Sequence, residues 1–298
     1  TEQYTPAPIE LPNGDGWVYV KGLNRIYGWK STDGGVTFAL QNGGAGVRIG
    51  TAGQWDSLFC VEPFALYDAA TDLIHLYWKG LGGAGADVDW SWGHATAPGS
   101  TPTVFTKDAA NPILTGPTAS TALGFTCTDL VIGDVIKIGS TFHFYGNALN
   151  FGTGEYELIH ATGTTFNDPG SVTSLLAAQG ADTVIQTPSV FTIPGNATPL
   201  YGMFYSRGTT LGAGRTIRFA TSTDGVTWDF SDTTNILSPI AGTWEANSVY
   251  TSHLLKEAQS PWTAPIVDSG QWRFYYSGYR ASTGNASAGL LYFTPTWA

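Results

Sequence analysis

Two acidic residues stand at nearly the same distance before a recurring tyrosine, and they are the first candidates for chemistry in this sequence. Glu62 lies 15 residues before Tyr77, and Asp129 lies 16 residues before Tyr145. Each acid leads into an apolar run of the kind that forms a buried strand. The similar offsets predict that both carboxylates lie at the same depth in the fold. Two carboxylates brought together can perform acid–base chemistry.

The tyrosines belong to a strand phrase that occurs five times along the chain. Its central residues follow one another at intervals of 58, 68, 60 and 71 residues and are Tyr19, Tyr77, Tyr145, Tyr205 and Tyr276. An apolar strand and then a turn follow most copies, and the Asp-Gly turn is plainest in 31–38 and 222–228. Asp-Gly supplies the positive φ of a hairpin turn, so these turns are predicted to join the third and fourth strands of a unit.

The repeating unit predicts an all-β fold. One unit of strands and hairpins cannot bury both of its faces, whereas five units arranged radially can. We therefore predict a five-bladed β-propeller in which residues 1–298 form one domain and four-stranded antiparallel blades surround a central channel. A pair of β-sandwiches is the alternative. The first strand of each blade lines the channel, and for blades 2 to 5 these strands are expected within 56–63, 127–131, 182–190 and 244–249.

Three stretches of the chain resemble a known group of enzymes. They are Trp92–Leu114, Ile217–Phe230 and Ser269–Arg280. Their blade phrases are similar to those of the five-bladed propeller glycoside hydrolases, which include the arabinanase and β-xylosidase family 43 and the invertase-like enzymes. The resemblance implies a carbohydrate substrate and two or three carboxylates on the innermost strands. One such acid protonates the leaving oxygen, while a second carboxylate attacks the sugar or activates water.

The resemblance and the strand positions together give a set of candidate site residues. The candidate catalytic acids are Glu62, Asp129, Glu245 and Asp56, with Asp182 behind them. The candidate substrate-binding residues are Trp55, Trp244, Gln186, Asn247 and His253. Asp56 and Glu245 each follow a tryptophan, whose ring is a candidate platform for a sugar. Capping of a loop or pairing with a basic residue is the alternative reading of each acid.

The sequence also departs from the pattern of the group it resembles. Family 43 enzymes typically carry an acid before a proline near the chain start and a glutamate in the third blade. Here Glu10 lacks that context, and Gln186 stands where an acid is expected. Either the acids are distributed differently, or the pocket binds carbohydrate without cleaving it, as in a lectin or a receptor-binding protein of a phage. A sialidase-like enzyme ranks third, because the arginines form no set at matching depth.

Two cysteines and three histidines allow structural as well as chemical readings. Cys60 and Cys127 each stand two residues before one of the leading acids, so a disulfide between neighbouring blades and two buried free thiols are both open. His94 and His160 occupy equivalent places in successive units, which favours a repeated structural contact. His143 is expected to fill a strand.

Composition limits the partners of the chain. Its net charge of -10 and its pI near 4.7 exclude a nucleic acid partner, because phosphates would be repelled. No apolar run reaches the roughly 18 residues of a membrane helix, so membrane insertion is not expected. The expected partner is a carbohydrate, and the expected location is secreted or extracellular. No cofactor is required for a mechanism with two carboxylates, although the resemblance allows a structural calcium near the channel.

Overall fold

The strands of the molecule form five antiparallel sheets that follow one another along the chain. The computed structural model describes residues 5–294, except 23, 42–45, 83–89, 178–181, 197, 211–212 and 281–284. The innermost strands of the sheets contact one another around a common axis. This arrangement confirms the predicted five-bladed β-propeller.

Each blade is formed by strands that are consecutive in the chain. Blade 1 contains β1 (Ala7–Glu10), β2 (Gly16–Lys21), β3 (Ile26–Ser31) and β4 (Ala39–Leu40), and blade 2 contains β5 (Phe59–Asp68), β6 (Leu73–Leu81), β7 (Ser91–Pro98) and β8 (Thr106–Lys107). Blade 3 contains β9 (Cys127–Ile138), β10 (Thr141–Asn150), β11 (Glu155–Gly163) and β12 (Val172–Leu176). Blade 4 contains β13 (Val184–Thr192), β14 (Tyr201–Gly208) and β15 (Thr216–Ser222), and blade 5 contains β16 (Ser248–Leu254), β17 (Val267–Asp268), β18 (Gln271–Arg280) and β19 (Asn285–Phe293).

Two blades differ from the four-stranded pattern that the repeat predicts. Within the described part of the chain, blade 4 has three strands, and isolated bridges such as Thr221 to Asp229 take the place of its fourth. In blade 5 the short strand β17 pairs with the start of β18, beside β16, instead of covering the outer edge of the sheet.

Three of the five recurring tyrosines join neighbouring blades. In each of blades 1 to 3, a tyrosine of the second strand donates a hydrogen bond to a backbone oxygen after the third strand of the next blade. The three bonds run from Tyr19 to Pro102 (2.8 Å), from Tyr77 to Phe166 (2.8 Å) and from Tyr145 to Gly225 (2.7 Å). A buried phenol needs such an acceptor, so the tyrosine recurs where blades meet.

The Asp-Gly turns also lie where they are predicted. In blade 1 the turn separates β3 from β4, and the Asp33 carboxylate accepts hydrogen bonds from the backbone N–H groups of Val36 (3.1 Å) and Thr37 (2.9 Å). Gly34 has a φ of 72°, a conformation that glycine adopts without strain. Asp224 and Gly225 repeat this geometry after β15.

The innermost strand of blade 5 begins later than predicted. The segment from Trp244 to Asn247 forms turns, and β16 starts only at Ser248. The Trp244 ring packs over Gly278 and Gly289, where any Cβ atom would approach it within 2.9 Å. This packing holds the residues before Ser248 outside the sheet.

The chain contains a short helix that the apolar pattern does not reveal. Helix α1 (Gly116–Leu123) connects blades 2 and 3, and the Thr115 hydroxyl caps its first turn by accepting from the N–H of Thr118 (3.2 Å). Among the residues described, no helix is long and apolar enough to cross a membrane.

Two buried pairs of histidines repeat in successive blades. His75 Nδ1 lies 3.0 Å from His94 Nε2, and His143 Nδ1 lies 3.0 Å from His160 Nε2. All four rings are buried. The repetition supports a structural contact for His94 and His160, and it places His143 in the interior of a strand.

Candidate active site

Glu62 and Asp129 meet at one ammonium group near the propeller axis. Lys79 Nζ lies 2.6 Å from Asp129 Oδ1 and 3.2 Å from Glu62 Oε2. The Glu62 and Asp129 side chains keep 16% and 12% of their surface accessible. The two carboxylates therefore share one partner and remain within reach of a ligand.

A bulge in the innermost strand of blade 2 places Glu62. The register between β5 and β6 shifts between Val61 and Phe64, and Glu62 has a φ of 51° immediately before Pro63. A positive φ is uncommon for a residue with a side chain and is found where surrounding structure enforces it. Blade 4 repeats the bulge with Thr187, whose φ is 53°. The acid of blade 2 thus occupies a place that holds a hydroxyl in blade 4.

Asp129 reaches the same lysine from a different place in its own strand. It lies opposite Leu149 in the ladder between β9 and β10, beside one register shift, and the shift that corresponds to the bulge of blade 2 follows only after Ile132. The similar offsets from the tyrosines therefore do not correspond to equivalent strand positions. The two carboxylates meet because Lys79 contacts both.

The Asp129 carboxylate is held more firmly than that of Glu62. Tyr156, on β11 of the same blade, donates a 2.9 Å hydrogen bond to Asp129 Oδ2. Lys79 contacts the other oxygen of the same carboxylate. Asp129 therefore has a hydrogen-bond donor on one oxygen and the lysine cation beside the other, which restricts its orientation.

Two buried cations balance the two acids. Burial opposes the charged form of Lys79, but the charges of Glu62 and Asp129 outweigh it and raise the lysine pKa. Burial lowers the pKa of Arg215 to about 10, which still leaves it charged near neutral pH.

Polar and aromatic residues from blades 4 and 5 surround Arg215. Its Nη1 donates to Gln186 Oε1 (2.8 Å), its Nε donates to Ser248 Oγ (3.3 Å), and its guanidinium lies 3.9 Å from the centre of the Tyr250 ring. Gln186 therefore positions a cation where the resemblance led us to expect an acid. Around Lys79, the Trp90 ring lies 4.2 Å from Nζ.

Asp56 and Glu245 lie away from this cluster, in equivalent turns before β5 and β16. Asp56 pairs with Lys107 on the outermost strand of its blade, and Glu245 accepts a 2.6 Å hydrogen bond from Tyr276. Within the described part of the chain, neither acid contacts Glu62, Asp129 or Lys79. These contacts favour the structural reading of both acids.

The preceding tryptophans have the same packing role. Trp55 stacks on Trp78 with ring centres 5.7 Å apart, and Trp244 stacks on Tyr276 at 5.5 Å. Each ring covers a glycine of the second strand, Gly80 or Gly278, which has no room for a Cβ atom. One face of each predicted sugar platform is therefore used inside the blade.

The remaining predicted residues lie outside the acid pair. Asp182 forms an ion pair with Arg207 (2.6 Å), and Asn247 joins β18 through its backbone N–H (3.0 Å). His253 is buried against Phe64, with ring centres 5.8 Å apart. Burial and the charge of Lys256 lower the His253 pKa to about 3. His253 thus belongs to a deeper layer of the axis.

That deeper layer contains a buried ion pair. Lys256 Nζ lies 2.5 Å from Asp134 Oδ1, and the backbone N–H of Val190 donates to Asp134 Oδ2 (2.7 Å). Burial raises the pKa of Asp134, although Lys256 partly offsets this, and burial lowers the pKa of Lys256. In the described ranges, no group of three histidine, cysteine or acidic residues can hold a metal ion.

Breaking this ion pair is expected to destabilise the protein. The Lys256→Met variant leaves the Asp134 carboxylate, which is 0% exposed, without its cation, and we expect a loss of about 3–5 kcal/mol in the free energy of unfolding. Adding Asp134→Asn removes the unpaired charge and is expected to recover most of the loss. Urea denaturation of both variants measures the effect, and an unchanged single variant would contradict it.

The cysteines are free and buried, so the disulfide interpretation is wrong. Cys60 packs in the core between blades 1 and 2, where its thiol donates to Asp56 Oδ2 (3.7 Å). Cys127 packs in a different core cluster, between blades 2 and 3. Burial raises the pKa of the Cys60 thiol and disfavours its reactive form.

Four residues of the cluster are not identified by the sequence reasoning. They are Lys79, Tyr156, Arg215 and Tyr250. Lys79 gives the clearest signal, because it is a charged residue within the otherwise apolar strand phrase of blade 2. A buried lysine in such a strand requires an acidic partner, and this requirement points to Glu62 and Asp129.

Comparisons with solved structures find proteins of similar fold at low sequence identity. An alpha-L-arabinofuranosidase from Lactobacillus brevis superposes with a TM-score of 0.69 at 10% identity, covering 98% of this chain and 90% of that one. An alpha-L-arabinofuranosidase from Podospora anserina, in complex with cellotriose, gives 0.65 at 14% identity, covering 97% and 90%. An endo-arabinase from Bacteroides thetaiotaomicron gives 0.64 at 14% identity, covering 100% and 95%.

No protein-family model and no curated protein matches the sequence. At identities this low, the structural matches establish the fold only. The activity has to be argued from the residues of the site. The structural matches confirm the propeller fold that the resemblance of the blade phrases implies.

Proposed function

We propose that the chain is a glycoside hydrolase whose catalytic pair is Glu62 and Asp129. The observation that carries this proposal is the convergence of two partly accessible carboxylates from neighbouring blades on Lys79 Nζ. The half-buried Trp90 ring beside Lys79 offers a surface for a sugar ring. The likeness to arabinofuranosidases and an endo-arabinase makes arabinose-containing glycans the first substrates to test.

The two acids take different roles in this proposal. Asp129, held by Tyr156 at one oxygen and by the Lys79 cation at the other, attacks the anomeric carbon. Glu62, with its single longer contact to Lys79, donates a proton to the glycosidic oxygen as the bond to the leaving group breaks. Glu62 then takes a proton from the water that releases the sugar from Asp129.

The spacing of the acids favours retention of configuration. Two oxygens at 3.2 and 2.6 Å from one nitrogen cannot be farther apart than the sum of these contacts. These two oxygens are therefore less than about 6 Å apart, which is below the 6.5–9.5 Å separation of inverting enzymes.

Carbohydrate binding without cleavage is the second candidate function. The Lys79 ammonium contacts both carboxylates, and Gln186 places an amide at the axis. Such a set of polar groups can bind the hydroxyl groups of a sugar without cleaving it. Under either function we propose an extracellular protein, because polysaccharides are found there.

Incubation with a substrate panel separates the two functions. The panel contains aryl α-L-arabinofuranosides, aryl xylosides and galactosides, arabinan and xylan, and the readouts are released phenol, new reducing ends and calorimetric binding. Hydrolysis with retention, followed by proton NMR of the first product, is expected. Saturable binding without product would favour the second function. Neither product nor binding would remove the axial cluster as a carbohydrate site.

A further inference from the structure

A second cleft lies in the outer part of blade 2, apart from the axial acids. Its volume is about 300 Å³, which is at the lower end of the range found for small-ligand sites. Gln54 and Trp55, in the turn before β5, line one side, and Lys107, Asp108 and Ala109, at the end of β8 and after it, line the other. In the described part of the chain, no hydrogen bond or ion pair links these five residues to the axial acids or to their lysine.

The Trp55 indole forms a fixed aromatic surface in this cleft. One face of the ring stacks on Trp78. The ring extends over β6 and β7 because Gly80 and Gly93 carry no side chain, and a Cβ atom there would lie within 2.2 and 2.6 Å of the indole. Trp55 is only half-buried, and it lines the cleft. Part of a ring whose position the sheet determines therefore remains accessible to a ligand.

The polar groups on the opposite side of the cleft are also held in place. Lys107 pairs with the buried Asp56 and keeps 31% of its side-chain surface exposed. The Asp108 carboxylate accepts from the backbone N–H of Ala110 (2.9 Å) and from the side-chain amide of Asn167, and its side chain is 21% exposed. The cleft thus combines a fixed aromatic ring with a fixed acceptor and a fixed donor for hydroxyl groups.

We propose that this cleft is a second carbohydrate-binding site, which holds part of a glycan chain at a distance from the catalytic pair. The C–H face of a sugar ring packs on the Trp55 indole, while its hydroxyl groups donate to Asp108 and accept from Lys107. The inference rests on the proposed function for the class of ligand alone, because the cleft shares no residue with the axial cluster.

The equivalent turn of blade 5 lacks the second side of such a cleft. Trp244 packs over Gly278 and Gly289 as Trp55 does over its glycines, and it is 36% exposed. In the described part of blade 5, however, no strand lies outside β19. Blade 5 therefore has no described counterpart of Lys107 and Asp108. The outer strand of blade 2, and not the tryptophan alone, makes the proposed site.

The test titrates the full chain with arabinopentaose, xylopentaose and cellopentaose. The Asp129→Asn variant is used throughout, because it is expected to leave these oligosaccharides intact. The readout is the ¹H–¹⁵N signals of the tryptophan indoles, and Trp55→Phe and Trp90→Phe assign two of them. Trp55 reports on the cleft, and Trp90 reports on the axial cluster. We expect a saturable shift of the Trp55 signal with at least one of the oligosaccharides.

Two neighbouring exposed residues provide a matched pair of variants. Ala109→Arg adds a long side chain in the cleft, whereas Ala110→Arg makes the same change one residue beyond its lining. We expect Ala109→Arg to weaken the affinity reported by Trp55 by about tenfold or more and Ala110→Arg to leave it unchanged. Ala109→Gln fills the cleft without adding charge and is expected to weaken the affinity as well, which keeps the test valid if the arginine disturbs the turn.

The two tryptophan signals separate this inference from the proposed function. A Trp55 signal that no oligosaccharide shifts would overturn the inference, and so would an equal affinity in Ala109→Arg, Ala109→Gln and Ala110→Arg. If the wild type forms no product and the Trp90 signal does not move, the proposed hydrolase fails, while a Trp55 shift that is weakened at Ala109 still supports the cleft. Cleavage by the wild type with an unmoved Trp55 signal would keep the hydrolase and remove the second site.

Discussion

Replacing Asp129 by asparagine is expected to lower kcat/KM by about a thousandfold or more with every substrate that the wild type cleaves. The amide cannot act as the nucleophile that the proposed mechanism requires. Asparagine retains the size of the side chain and can still accept from Tyr156, so the fold is expected to remain intact. Initial rates on the panel of aryl glycosides measure the loss.

Glu62→Gln is expected to behave differently, because a proton donor matters only when the leaving group needs a proton. With polysaccharide or an alkyl glycoside, we expect a loss of about 10²- to 10⁴-fold. With a dinitrophenyl glycoside, whose phenolate leaves unprotonated, the loss is expected to be much smaller. Dependence on the leaving group in Glu62→Gln, together with its absence in Asp129→Asn, would identify the two roles.

Asp232→Asn is the matched control, since Asp232 is an exposed carboxylate in a turn. It is expected to keep wild-type rates on all substrates. Equal losses in Glu62→Gln with both kinds of leaving group would contradict the assignment of Glu62 as the proton donor. Wild-type activity in Asp129→Asn would exclude Asp129 as the nucleophile.

The radial fold could be predicted from the sequence because the contacts that hold blades together repeat. Tyr19, Tyr77 and Tyr145 make the same hydrogen bond to the next blade, so the phrase around them recurs. The Asp-Gly turns recur for the same reason, because their geometry depends on residues only a few positions apart. Local and repeated physical requirements leave a pattern that one sequence can show.

Only part of the candidate cluster could be identified from the sequence, because its contacts are neither local nor repeated. Glu62 and Asp129 were found by counting from the tyrosines, yet the bulges of the two strands differ, so this count does not give their register. Arg215 was not singled out for this site, because its partners Gln186 and Ser248 come from other parts of the chain. Nothing in its immediate sequence distinguishes it from a surface arginine.

The predictions for Asp56 and Glu245 show the opposite difficulty. Both follow a tryptophan and precede an innermost strand, so both looked like site residues. Their carboxylates instead bind Lys107 and Tyr276, and the tryptophans cover glycines of the second strands. An acid beside an aromatic residue has the same sequence pattern in either role. The two roles differ only in whether the acid lies on the innermost strand or in the turn before it.

Mild acid is expected to destabilise the protein through its five histidines. All five are buried, and burial lowers their pKa values, to about 3 for His75 and His253 and to about 4 for His160. The pKa values of His94 and His143 are lowered as well, with burial again the main cause. In the unfolded chain, histidine takes up a proton near pH 6.5.

Between these pKa values the unfolded state binds more protons than the folded state, so stability falls as the pH falls. Each histidine contributes a slope of up to about 1.4 kcal/mol per pH unit. Urea denaturation between pH 6.5 and 5 isolates this effect, because unfolded carboxylates take up protons mainly near pH 4. We expect the midpoint of unfolding to fall steadily across this interval.

The double variant His143→Gln, His160→Gln provides the matched comparison. Two glutamine side chains can keep a mutual hydrogen bond across β10 and β11, but they do not titrate. The double variant therefore takes up about two fewer protons on unfolding than the wild type, and its free energy of unfolding is expected to depend less steeply on pH. Stability that is independent of pH in the wild type, or an equal slope in both proteins, would show that the buried histidines do not resist protonation. The histidine pairs would then not limit acid stability, whichever function the axial acids perform.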